Sequence, residues 1–215
     1  QPGDPADFIV VKDLLHFAVT STYINGERVA EEGKSNIKTQ KTSPINQFDC
    51  QEKTVADFRF PITEFPATLH AIEALDGQLI TNKYPCSPPV TDGCYQSDVA
   101  NDLLKIVVVN RYKNAPVAKA FIRNFGIKKG ALASSVAHDS HNIVAVGVDD
   151  ESLTRAVNLV INEQGGVSAV YDGIDKVLGL PVAGLMSNED GYKVAADYTA
   201  IDKITKEDMG STLAA

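Results

Sequence analysis

Much of what this sequence can do is bounded by what it lacks. Lysine and arginine number 20 against 28 aspartates and glutamates, so there is no basic footprint for a nucleic acid or an anionic membrane surface. No run approaches the roughly eighteen apolar residues of a membrane span. The opening Gln1-Pro2-Gly3-Asp4 has neither the positive region nor the apolar core of a signal peptide. Cys50, Cys86 and Cys94 are an odd set without metal-type spacing. They read as reduced thiols of a cytoplasmic protein rather than as a Cys86 to Cys94 bridge. His-x-His is absent, and neither Ser134 nor Ser135 lies in a Ser-x-x-Lys or Gly-x-Ser-x-Gly context. Gly126 and Gly130 bracket Ile127-Lys128-Lys129 at a spacing that fits neither a dinucleotide nor a Walker fingerprint. His16 and His70 fall on separate β patterns, so the three or four convergent ligands of a catalytic metal cannot be assembled and no metal is expected in this chain. There is no internal repeat and no low-complexity tract. What is left is an acidic globular chain of 215 residues, net charge -8 and 44% hydrophobic, enough for one large domain or two modest ones. A small neutral ligand remains open to it.

The pattern of the chain predicts an α+β fold with a mixed sheet. Asp7 to Lys12 is a short apolar run of the kind a buried strand makes, and Phe17 to Ile24 is a second strand. Asn25-Gly26 supplies the two positive-φ positions of a type I′ turn before the chain returns through Glu27 to Ala30. The polar run Glu31 to Asn36 is the candidate boundary, giving a β segment over residues 1–36 and an α+β domain over residues 37–215. Val55, Phe58 and Phe60 suggest a strand ending at Pro61, and Asp76-Gly77 is a second hairpin signal between Leu69 to Leu75 and Gln78 to Tyr84. Tyr84 to Cys94 reads as a long loop. Leu103 to Val109 is nearly continuously apolar, as in a strand buried on both faces. Val117 to Phe125 fits a helix and a strand almost equally and is left open. Ile143 to Val148, a helix capped by Asp149-Asp150 with Leu153, Ala156, Val157, Val160 and Ile161 on one face, and Val167 to Tyr171 form a β-α-β unit. Gly165-Gly166 ends that helix. A last helix is expected to be capped by Ser187, with Val194, Tyr198 and Ile201 on its apolar face.

The chemistry is concentrated between Gly130 and Gly147. Two segments that read as buried strands there hold a polar knot, His138-Asp139-Ser140-His141-Asn142, which would be a loop on a rigid frame. The two imidazoles could lie on one side of a turn, with Asp139 taking one ring N–H. The plainer reading is a turn that satisfies its own backbone through Asp, Ser and Asn side chains. From spacing alone that plainer reading leads, since two-ligand motifs are weak evidence. Ser134-Ser135 reads best as small residues packing a buried turn, and Lys105 and Arg111 as solvated or paired charges.

Phe125-Gly126-Ile127-Lys128-Lys129-Gly130-Ala131, the run Ser134 to Asn142, and Leu180-Pro181-Val182-Ala183-Gly184-Leu185-Met186-Ser187 together resemble the C-terminal region of bacterial adenine deaminases. Pro2 to Val11 is similar to the segment that follows the catalytic barrel in amidohydrolases, so the resemblance extends over the whole chain. Two positions depart from that family, Tyr112 where a His follows the Arg and Asn124 where a Gly precedes Phe-Gly. The resemblance implies an amidohydrolase barrel upstream, a short β-sandwich remnant over residues 1–36, and hydrolysis of adenine to hypoxanthine and ammonia. It implies binuclear iron or manganese held by the barrel and none by this chain, a cytoplasmic homo-oligomeric parent, and an isolated chain without activity. It also reverses the order of readings for the knot: His138, Asp139 and His141 become candidates for catalytic groups covering the active site, with Asn142 and Ser135 as candidate substrate contacts. The competing reading is a free-standing binding or oligomerisation module derived from the same domain.

Overall fold

The computed structural model describes residues 2–38, 40, 43–64 and 68–213, and the chain divides into two compact units, residues 1–42 and 43–215. In the first unit β1 (Phe8–Val11), β2 (Val19–Ile24), β3 (Glu27–Glu31) and β4 (Lys34–Ser35) form an antiparallel sheet in that order. Asn25 and Gly26 join β2 to β3 with φ of 51° and 79°, the geometry expected of that dipeptide. The polar run after β3 turns at Glu32 and Gly33 into β4. Contrary to the buried strand expected over Asp7 to Lys12, Phe8, Ile9 and Val10 are 50%, 45% and 44% exposed. The unit is a single sheet, and one layer cannot bury its own apolar face.

The second unit holds β5 (Leu69–Ala74), β6 (Thr81–Cys86), β7 (Val90–Thr91), β8 (Cys94–Tyr95), β9 (Leu103–Val109), β10 (Ala118–Arg123), β11 (Ala131–Ser134), β12 (Ile143–Gly147), α1 (Asp150–Asn162), β13 (Gly166–Tyr171), β14 (Ile174–Gly179) and α2 (Gly191–Lys203). Eight strands make one mixed sheet in the order β14-β13-β11-β12-β9-β10-β5-β6, and β7 and β8 pair in a ribbon. Among the described residues only β10 and β5 run parallel as neighbours. Since β11 is antiparallel to both β12 and β13, those two strands point the same way. The β-α-β unit read from the sequence is therefore present, with β11 inserted between its strands. Val117 to Phe125 resolves to a strand, β10. The Asp76-Gly77 hairpin exists, but Ala74 pairs with Thr81, so its connection runs over residues 75–80 rather than two.

Three stretches differ from expectation in their local structure, the first being Tyr84 to Cys94, expected as a loop, which holds the end of β6 and most of the β7–β8 ribbon. Val55–Phe58 is a 3₁₀ turn rather than a strand, because Thr54 and Asp57 close a capping box that tightens the backbone there. Phe58 and Phe60 still enter the core, both 0% exposed. The cap of α2 is Asp190, whose carboxylate accepts the Tyr192 and Lys193 N–H groups, while the Ser187 hydroxyl accepts the Glu189 N–H in a tight turn. By contrast α1 starts where its sequence says, with Asp149 accepting the Ser152 N–H at 2.6 Å.

Burial of the middle of the sheet explains the layout. On one face all five predicted residues of α1 pack against Phe60, Val107, Val109, Phe121, Ala133 and Ala145. On the other, Leu104, Ile122, Val146 and Ala169 are covered by Ile201 of α2 and by Met209. Lys105 lies on the α1 face with 0% exposure. Its Nζ donates to Asp150 Oδ1 at 2.6 Å and to Gln96 Oε1 at 3.4 Å and sits 4.9 Å from the Phe60 ring centre. Burial holds the Asp150 carboxyl above its ordinary value of 3.8, against the downward pull of Lys105. Removing one member of such a pair strands the other charge, so Lys105→Met should cost about 3–5 kcal/mol in denaturant unfolding, and adding Asp150→Asn should restore part of that loss. A carboxyl whose folded pKa lies above its unfolded one loses stability as pH rises through the folded value. Without Lys105 that value rises further, so the single variant should weaken more steeply than the parent chain above about pH 4.

Candidate functional site

One end of the large sheet gathers the chemistry. There β9 runs out into Asn110-Arg111-Tyr112, β11 runs into the knot, β12 leaves it, β13 starts at Gly166, and β14 ends ahead of Leu180. The two sequence runs 134–142 and 180–187 thus meet in space. Ser135 joins them: it is 0% exposed, its hydroxyl donates to the Gly184 carbonyl at 2.6 Å, and its oxygen accepts the Gly166 N–H at 2.8 Å. Both directions of that hydroxyl serve the fold.

Arg111, 4% exposed, is the second tie. Its two terminal nitrogens donate to Asn46 Oδ1 at 3.3 Å and to the Tyr112 hydroxyl at 3.0 Å, and its backbone N–H donates to Asn142 Oδ1 at 3.3 Å. Tyr112 in turn donates to the Ser140 carbonyl at 3.1 Å, so Arg111 reaches the knot by two routes, its backbone N–H and its guanidinium through Tyr112. Gly184 closes over it with φ of 70°, and a Cβ there would stand 2.0 Å from an Arg111 nitrogen. Only glycine permits that approach. The Arg111 Nε and His141 Nδ1 are buried without hydrogen-bond partners among the described residues.

The knot accordingly has two sides. His141, at φ 49°, and Asn142 are partly buried, and Asn142 is turned toward Arg111. His138 and Asp139 point outward with side chains 85% and 89% exposed. Their partners are each other, through His138 Nδ1 and Asp139 Oδ1, and the His138 ring stands edge-on to His141 at 5.7 Å between centres. His138 also borders a pocket of about 400 Å³ on the α2 face of the sheet. No group of three His, Cys, Asp or Glu side chains converges among the described residues, so the residues present do not fit an iron or manganese centre. Cys50, Cys86 and Cys94 are free thiols, and burial raises the first two above their ordinary range. No helix among the described residues is long and apolar enough to cross a membrane.

Sequence reasoning missed Arg111, Tyr112 and Gly184 as the anchor of the knot. The one available signal was the placement of Asn110-Arg111 at the end of a strand buried on both faces, where a charge must find partners. Asn124, the second departure from the family pattern, sits at φ 63° and donates to the Ala74 carbonyl at 3.1 Å. It occupies the left-handed region that asparagine tolerates next best to glycine.

Residues 78–215 match the family model for the adenine deaminase C-terminal domain. The chain is 47% identical over 214 residues to an adenine deaminase of Salinibacter ruber, covering 99% of this chain and 39% of that protein. It is 41% identical over 212 residues to one from Borreliella burgdorferi, with 98% and 38% covered, and 40% identical over 221 residues to one from Methanosarcina barkeri, with 99% and 40% covered. The chain therefore spans about two fifths of the length of the curated relatives it matches. With the matched runs folded onto one sheet end and the family model covering more than half of its residues, this chain belongs to the adenine deaminase C-terminal domain family.

Proposed function

We propose that the chain is the C-terminal part of a metal-dependent adenine deaminase and that its knot covers the active site of an amidohydrolase barrel on the preceding part of the polypeptide. The observation that carries this reading is the outward pair His138 and Asp139, held on a buried frame and, among the described residues, bonded only to each other. Side chains that the fold does not use are available to a ligand. In this reading residues 1–36 complete a β-sandwich beside the barrel and residues 37–215 form the appended domain. The half-exposed Phe8, Ile9 and Val10 of β1 support a covering partner for that sheet.

Adenine presents ring-nitrogen acceptors and an amino donor, and its hydrolytic deamination needs one activated water kept from bulk solvent. Iron or manganese held by the barrel would supply that activation. Asp139, against Nδ1, would hold the ring proton of His138 on that nitrogen and leave Nε2 as an acceptor. That nitrogen can take a hydrogen bond from the amino group of the base or from the water. Asn142 and Ser135 act on position: one holds the Arg111 backbone and the other ties the two runs together.

Ammonia release from adenine should be measurable for the full-length polypeptide and absent for residues 1–215. An inactive full-length protein, or a fully active fragment, would sink the reading. In the full-length protein His138→Ala should lower kcat/KM for adenine by roughly a hundredfold with the melting temperature unchanged. Asn142→Ala, which strands the Arg111 N–H, should instead cost about 1–3 kcal/mol of stability and leave KM in place. Unaltered kcat and KM in His138→Ala would remove the knot from the active site.

A further inference from the structure

The knot is a closed turn. The His141 N–H donates to the Ala137 carbonyl at 2.7 Å, so residues 138–140 stand out as a short loop between those two points. Among the described residues one hydrogen bond ties that loop to the fold outside the knot, from the Tyr112 hydroxyl to the Ser140 carbonyl at 3.1 Å. The His138 and Asp139 side chains are bonded only to each other. Their direction is therefore inherited from the backbone that this one bond holds.

Tyr112 is itself firmly placed. It follows β9, the doubly covered centre of the sheet, and Asn110 Oδ1 accepts both the Tyr112 N–H at 2.9 Å and the Lys113 N–H at 3.2 Å. Such an Asx turn fixes the backbone just past the strand end. The Tyr112 ring lies against the Arg111 guanidinium, whose central carbon stands 4.6 Å from the ring centre. Arg111 is 4% exposed, and the acceptors of its guanidinium among the described residues are neutral, Asn46 Oδ1 and the Tyr112 hydroxyl. A buried cation answered by neutral acceptors polarises them, and a hydroxyl that accepts from it donates more strongly onward. The charge beneath the knot thus acts on the Ser140 carbonyl through one oxygen. Ser140 is exposed, so water can solvate its carbonyl when that oxygen is removed, and the fold does not depend on the bond.

We propose that Tyr112 is a positioning residue: its hydroxyl, polarised by buried Arg111, fixes the Ser140 carbonyl and through it the direction in which His138 faces. Its effect on turnover rests on the active-site role proposed above for the knot. In the full-length protein Tyr112→Phe keeps the ring against Arg111 and removes only the hydroxyl. It should lower kcat for adenine about tenfold with KM within about twofold. The melting temperature should fall by less than about 6 °C, as the lost hydrogen bonds alone require. Because Tyr112 acts through His138, adding Tyr112→Phe to His138→Ala should lower kcat no further. Nitrogen-15 NMR of the His138 imidazole, assigned by its loss in His138→Ala, should show a ring protonated at Nδ1 in the parent and averaged tautomers in Tyr112→Phe. Where His138→Ala loses turnover, an unchanged kcat in Tyr112→Phe, losses that multiply in the double variant, or an unaltered imidazole spectrum each overturns the positioning role. Where His138→Ala keeps its turnover, the active-site reading of the knot fails instead, and the imidazole spectrum alone decides whether Tyr112 sets His138.

Discussion

The structure depends on one constraint: the middle of an eight-stranded sheet has to be covered on both faces. β9 shows it most plainly, since Leu104, Val107 and Val109 are each at most 1% exposed and alternate between two layers. On one face the covering is close because the strands offer small residues. Ala131 and Gly147 leave so little room that a Cβ on Gly147 would meet Leu153 of α1 at 2.9 Å. Burial of the five apolar side chains of α1 contributes about 1.5–3 kcal/mol each before chain entropy is set against it. Lys105 is the exception inside this layer, tolerated because the first turn of α1 brings Asp150 to its nitrogen.

Covering both faces pushes the polar connections to the ends of the strands, and one end receives almost all of them. Arg111, Ser135 and Gly184 convert that end from a set of loops into a bonded frame. The frame takes up Asn142, half-buries His141, and leaves His138 and Asp139 outside. Polar residues within a five-residue span thus acquire opposite tasks, a division decided by which way each faces along the turn rather than by residue type. On the α2 face the constraint is met less completely, and the pocket that His138 borders is the consequence.

Sequence periodicity and punctuation were enough for most of the elements. Five apolar positions at helical spacing after Asp149-Asp150 define α1 and its buried face, and Asn25-Gly26 and Asp172-Gly173 mark turns whose first residues take φ of 51° and 44°. Leu103 to Val109 reads as doubly buried because no polar residue but Lys105 interrupts it. Where the reading failed, local hydrogen bonds or missing layers intervened. Thr54 and Asp57 turn an apolar segment into 3₁₀ geometry, Asp190 outcompetes Ser187 as a cap, and β1 has the composition of a buried strand in a unit whose described residues form one sheet.

The sequence by itself determined that Ser134 to Asn142 and Leu180 to Ser187 are the telling runs, because their small and polar residues fit no ordinary strand or helix. It could not place them together. They are separated by β12, α1, β13 and β14, and their meeting follows from β11 being inserted between β12 and β13, a choice of strand order set by long-range pairing. The same order brings Arg111 under Gly184 and sends the Ser135 hydroxyl inward. Tertiary structure alone decided which knot residues face solvent, because a side chain's direction in a non-repeating turn depends on partners distant in the chain, and local spacing carries no record of them.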